Sequence, residues 1–319
     1  MGTRQVEGPE SYREALGSDP SGGARLRRGC GQAYAQEPLG SRCWLSIWFL
    51  LRYHTRVTAP MLYSHAPLVL VALEVRHPPA ALSQTEARSM KKLLSDELPI
   101  ERSGQLASVP LLPGGSVQVE TEIERFPRFL NRESTVAVSA RREATVIEAS
   151  QYPGWPGLLE LAARALDARA QIAAIDGIER IGLRYINEVR IPGDDAPDWS
   201  QWVHRSLLAP ESTEPIGLPL NSWQGIGLYG SQPGQLLVMR YGPRVGFAVD
   251  PNSDLRRITS HAGPFFLIDI DSSWTPDTTI PEYEPATFVA KCKDLHRPVH
   301  KLFRGIVTDS LKDKVFSNA

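Results

Sequence analysis

The sequence predicts an α+β fold in which antiparallel β-meanders pack against helices and a long C-terminal helix closes the chain. Three observations predict it. The stretch Gly177–Pro192, GIERIGLRYINEVRIP, alternates: Ile181, Leu183, Tyr185, Val189 and Ile191 share one face with Asn187, and Arg180, Arg184, Glu188 and Arg190 share the other, interrupted by Gly182 and Ile186. Period two is what a half-buried strand requires, because successive side chains leave a strand on opposite sides. Other short alternating segments recur between Pro, Gly, Asn and Asp turns, the spacing of a meander. Finally, Phe288, Cys292, Leu295, Val299, Leu302, Phe303, Ile306 and Leu311 recur at helical spacing over 285–316, one apolar stripe on a long helix.

In chain order, residues 1–60 differ from the rest. Gly, Ser and Arg dominate to Arg42 without a sustained period. The apolar run Cys43–Leu51 follows, too short to cross a bilayer, which takes about twenty residues. Its charged lead is too long for an ordinary signal peptide, and Pro60 would follow the cut at Ala59, so secretion is disfavoured. Residues 1–60 are expected to be a disordered or non-native extension ahead of a patterned chain that opens at Met61.

From Pro67 the pattern sharpens. Leu68–His77 is apolar on both faces and then alternates at Glu74 and Arg76, a strand running from a buried centre toward solvent. Ser83–Leu98 reads as a helix, with Ser83 and Glu86 at capping-box spacing and Pro99 as the stop. A Pro/Gly loop leads to Ser116–Phe126, where Val117, Val119 and Ile123 are expected inside and Gln118, Glu120, Glu122 and Glu124 outside. Short strands at Ser134–Ala140 and Thr145–Ala149 follow, then a helix beginning around Pro156 and ending near Ala174. With the strand at 178–191 this makes a first α+β unit, 61–192. After the Asp/Pro link 193–199, a short helix at 201–208, strands at 222–229, 235–241, 246–249 and 264–272, and the C-terminal helix make a second, 193–319. Pro298 is expected to kink that last helix. Meander followed by helix occurs in both units, the pattern of two similar halves.

These residues resemble a family. PLVLVALEVR, Phe126-Pro-Arg-Phe129, Tyr152-Pro-Gly-Trp155, Arg180-Ile-Gly-Leu-Arg-Tyr-Ile-Asn187 and Leu295-His…Phe303…Thr308-Asp309 occur in that order. The set is similar to a sporadically distributed bacterial family of uncharacterised proteins of about 250–270 residues, spanning 61–319 and omitting 1–60. RxGLRYxN is its most specific element. The resemblance implies an architecture and brings no activity, cofactor or catalytic residue.

Composition bounds the function. Hydrophobic residues at 42% and charged residues at 22% fit a globular protein. A net charge of -1 gives no general field toward nucleic acid or an anionic membrane. Cys30, Cys43 and Cys292 are far apart and outside any CxxC pair, so they are expected as free thiols in the cytoplasm rather than a disulfide or zinc framework. Lysine occurs only at Lys91, Lys92, Lys291, Lys293, Lys301, Lys312 and Lys314; arginine elsewhere fits a GC-rich bacterial genome.

No phosphate loop, dinucleotide fingerprint, GxSxG elbow or HExxH is present, and no cofactor or metal is expected. The candidate site is the polar strand face: Glu74, Arg76, Glu120, Glu122, Glu124, Arg180, Arg184 and Glu188. If the sheet curls into a tunnel, the glutamates would hold Mg²⁺ and the arginines phosphate, a layout similar to that of triphosphate tunnel enzymes. Alternating charge is also what a solvated antiparallel face shows, paired across strands. His296 and His300, at i and i+4, have metal-ligand spacing without an evident third ligand. Cys292 falls on the apolar stripe and reads as core; Tyr152–Trp155 reads as a hydrophobic staple or an aromatic platform. The expectation is a non-catalytic protein-binding or regulatory module with a protein partner. The alternative is a metal-dependent, phosphate-handling enzyme.

Overall fold

The chain divides into Met1–Arg56 and Val57–Ala319. The computed structural model describes residues 66–108, 122–209, 220, 222–230, 234–257 and 261–317, so the expectation for residues 1–60 lies outside the described residues. Nine strands are described: β1 Leu68–Arg76, β2 Ile100–Ser108, β3 Glu122–Leu130, β4 Val136–Ala140, β5 Ala144–Ala149, β6 Arg180–Val189, β7 Gly225–Tyr229, β8 Gln235–Gly246 and β9 Gly263–Trp274. They form one antiparallel sheet in the order β2-β3-β4-β5-β1-β6-β9-β8-β7. Three long helices accompany it: α1 Gln84–Leu94, α2 Gly154–Ile172 and α3 Pro285–Ile306. The fold is α+β with a C-terminal helix, as the patterning predicts.

The residues expected in 61–192 and in 193–319 share this sheet, because β6 pairs with β9 along Ile181–Val189. Strands β1 and β6 lie side by side and antiparallel at its centre. Each pairs on its other edge with the last strand of the meander that follows it, β1 with β5 and β6 with β9. Each meander then leads into a helix, α2 or α3. The two topologically similar segments therefore begin at β1 and at β6, so β6 opens the second rather than ending the first.

One face of the sheet carries the core. Val71, Leu73 and Val75 of β1, Ile181, Leu183 and Tyr185 of β6, and Phe266, Ile268 and Ile270 of β9 pack with buried residues of α1, α2 and α3. Ser83 caps α1 through the capping box with Glu86. Asn187, the polar residue on the buried side of β6, donates to the Ile268 carbonyl at 2.9 Å, which satisfies its amide inside the sheet.

Among the described residues, the other face is covered at one end only. Leu255, in the segment after β8, packs with Leu70, Leu130, Ala137 and Ile186 in a second apolar cluster. Arg128 fastens that segment. It donates from Nε and Nη2 to Asp254 at 2.6 and 3.0 Å, and from Nη1 to Glu148 and Ser139 at 2.6 Å each.

Several elements differ from expectation. β2 was not anticipated: it is an edge strand whose residues 101–107 are nearly all exposed, so it has no apolar face to generate a period. Ile123, expected inside, is 54% exposed, since it stands opposite Ala107 on the outer ribbon of the sheet. Two 3-10 turns, Trp199–Gln201 and Arg205–Leu207, replace the helix expected at 201–208. α3 ends at Ile306 and is followed by the short turn Asp309–Leu311, with Thr308 as its N-cap. The strand expected at 246–249 is the end of β8 followed by a bend. Arg190 is not on a solvated face. It donates to Glu188 and to the Gly246 and Gly263 carbonyls, and its guanidinium lies 4.9 Å from the Phe265 ring centre.

Candidate functional site

The open part of the polar face is a shallow basin of about 350 Å³ lined by Glu74, Arg76, Arg141, Arg180, Arg184 and Asp271, among others. Register places these residues together. Glu74 of β1 stands opposite Gly182, and Ala72 opposite Arg184; Arg184 in turn stands opposite Asp271, with Asp269 one pleat along at Ile186. Alternation on three adjacent strands thus sends the same set of charged side chains to one side.

Most of these charges are paired among the described residues; Arg141 is the exception, its guanidinium over the Phe126 ring and its buried Nε without a hydrogen-bond partner. Arg184 donates from Nε and Nη2 to the two carboxylate oxygens of Asp269 at 2.8 Å each. This bidentate contact raises the Arg184 pKa, against partial burial. Arg240 Nη1 approaches the same carboxylate at 3.6 Å. Arg180 donates to Glu74 at 3.1 Å and stands 3.7 Å from Asp271, and Arg76 donates to Glu74 at 2.8 Å. Burial raises the Asp271 pKa, with the nearby Arg180 and Arg184 opposing it.

The remaining sequence candidates lie elsewhere. Glu188 is enclosed: it takes two bonds from Arg190 and one from the Ala248 N–H at 2.6 Å. Glu124 accepts from the Arg142 N–H at 2.6 Å. Its strand is separated from β6 by β4, β5 and β1, roughly 19 Å at strand spacing. Glu120 and the side chain of Glu122 lie outside the described residues. The sheet brings Glu74, Arg76, Arg180 and Arg184 together and leaves Glu124 and Glu188 apart. Asp269 and Asp271 were missed, although their signal is the alternation of Ile268 and Ile270 with two acids in IDID.

A second polar group sits on the helix side. Tyr185 Oη is 3.3 Å from Tyr152 Oη and 3.1 Å from His296 Nδ1. Trp155 stacks on His296, and His296 on His300. Burial, with the neighbouring His300, lowers the His296 pKa to about 4, and burial raises that of Tyr152 to about 12. Burial likewise raises the Tyr185 and Cys292 pKa values. At neutral pH His296, Tyr152, Tyr185 and Cys292 are uncharged, so they belong to a seam between α2, β6 and α3 rather than to a nucleophile with its base. Among the described residues, no three His, Cys, Asp or Glu side chains converge as a metal-binding group. No helix among them is long and apolar enough to cross a membrane.

Comparison with known proteins adds no identity. No protein-family model matches the chain, and no curated protein matches it.

Proposed function

We propose that the chain is a non-catalytic protein-binding or regulatory module that uses the uncovered sheet or the C-terminal helix as its contact surface. The observation that carries this reading is the pairing of the arginines at the centre of the open face: Arg184 is held by Asp269, and Arg180 by Glu74. A phosphate-handling tunnel needs guanidiniums or carboxylates left free for substrate and metal, and it needs the glutamates of β3 to face Arg184. Ile226 and Leu228, 66% and 68% exposed at the end of the same sheet, add apolar area beside charge, the composition of a protein-contact patch.

Membership of the sporadic bacterial family belongs to the same proposal. It is supported by the meeting of three motif stretches, since Tyr152 and Trp155, Tyr185 and His296 touch one another. A cytoplasmic location is also part of it, resting on the wide spacing of Cys30, Cys43 and Cys292 outside any CxxC pair.

Affinity purification from the native host, followed by mass spectrometry, tests the proposal. A stoichiometric protein that raises the melting temperature of the purified chain supports it, since binding to the folded state stabilises. Stabilisation by Mg²⁺ with a nucleotide, and no stoichiometric partner, contradicts it.

A further inference from the structure

β7 is the last strand of the sheet, and among the described residues nothing pairs with its outer side. Edge strands commonly guard that side with charge, Pro or a bulge. Gly225–Tyr229 reads GIGLY and carries no charge and no Pro. Gly225 stays small because the Tyr241 ring lies over it: a Cβ there would fall 2.2 Å from that ring. The edge thus presents backbone flanked by apolar side chains, the template for adding a further strand.

Beside that edge an open groove of about 600 Å³ separates the β7–β8 hairpin from α3. Tyr229, Leu237, Pro298 and Leu302 line it, together with Asp294 and Arg297. Charge supplies the third observation. Lys293, Arg297, Lys301 and Arg304 are all exposed and are spaced four, four and three residues apart along α3, so they share one stripe. Asp294 is the only carboxylate within that helix, and Arg297 donates to it at 3.3 Å, which leaves Lys293, Lys301 and Arg304 in excess. In a chain of net charge -1, this is a local cationic field bordering an apolar groove.

We infer that the β7 edge and the α3 groove receive an extended acidic segment of a partner protein. Its backbone pairs with Gly225–Tyr229, alternate apolar side chains turn toward Tyr229 and the groove, and its carboxylates face Arg297, Lys301 and Lys293. The inference rests on the binding-module reading and names the partner's chemistry. A second copy would set one uncharged β7 against another and leave Lys293, Lys301 and Arg304 unanswered. Nucleic acid would answer the stripe and leave the strand edge unpaired.

Selection of random peptides displayed on phage against the full chain tests this directly. The expected outcome is enrichment of acidic peptides with apolar residues at alternate positions. A synthetic copy of an enriched peptide should protect the amides of Gly225–Tyr229 from hydrogen exchange. It should bind about tenfold more weakly to the Lys293→Glu/Lys301→Glu protein, whose changes are on exposed side chains and whose melting temperature should match the parent. Absence of enrichment, enrichment of basic peptides, or indifference to the charge reversal would overturn the inference. A peptide lost instead on Arg240→Ala, with no protection at β7, would overturn it while leaving the binding-module reading standing. Dimerisation with β7 protected in the absence of peptide would assign the edge to a second copy. Tighter binding of a single-stranded oligonucleotide than of any selected peptide would assign the stripe to nucleic acid.

Discussion

Trp155 lies flat against His296, their ring centres 4.1 Å apart and their planes 6° from parallel. The contact joins the start of α2 to the middle of α3, and Tyr185 of β6 completes the seam through His296 Nδ1. A protonated imidazole would be poorly solvated there, and the surrounding tyrosines and Cys292 offer it no negative charge.

The seam therefore makes stability depend on pH. Burial, assisted by His300, holds the folded-state pKa of His296 at about 4, below its ordinary 6.5. The unfolded chain takes the proton first, so the contribution is full above pH 6.5 and is lost progressively as pH falls toward 4. Melting temperatures measured between pH 7 and pH 4.5 should fall with pH, and His296→Phe should flatten part of that decline. His77, whose pKa burial also lowers, supplies a remaining slope of the same sign.

The two faces of β6 respond to substitution differently from what alternation alone suggests. Leu183→Asp puts an unpaired charge into the core and should unfold the protein, at a cost of about 4 kcal/mol or more. Arg190→Ser would look harmless on a solvated face, with a cost under about 1 kcal/mol. In the fold it removes the partner of an enclosed Glu188 and two carbonyl contacts, so the expected loss is about 2–3 kcal/mol. Urea unfolding of both variants checks the pair.

That contrast shows what the sequence could and could not convey. The alternation of Ile181, Leu183 and Tyr185 with Arg180 and Arg184 needs only neighbours along one strand, and it predicted the buried face of β6. Ile186 broke the pattern because its cover, Leu255, comes from a segment about seventy residues away. The same long-range segment encloses Glu188. β2 escaped notice because an exposed edge strand has no apolar face to produce a period. The basin was half legible: Glu74, Arg76, Arg180 and Arg184 lie on strands that pair, but their joining depended on β1 lying next to β6, which no local pattern specifies. Glu124 looked equally suited and belongs to β3, on the far side of β1.

Arg128→Ala should release the cover over the second apolar cluster. It strands Asp254, Glu148 and Ser139 at once, and a cost of about 3 kcal/mol is expected. Hydrogen exchange should rise at 253–257 more than in α2, because Arg128 ties that segment to the sheet while α2 packs on the opposite face.

The central claim is that Arg76, Arg180 and Arg184 are held by carboxylates of the same face and do not await metal and phosphate. Isothermal titration of the purified protein with Mg²⁺ and inorganic triphosphate tests it most directly. The account predicts no saturable heat at micromolar ligand, for the parent protein and for Arg184→Ala alike. Saturable binding by the parent that Arg184→Ala abolishes would contradict it.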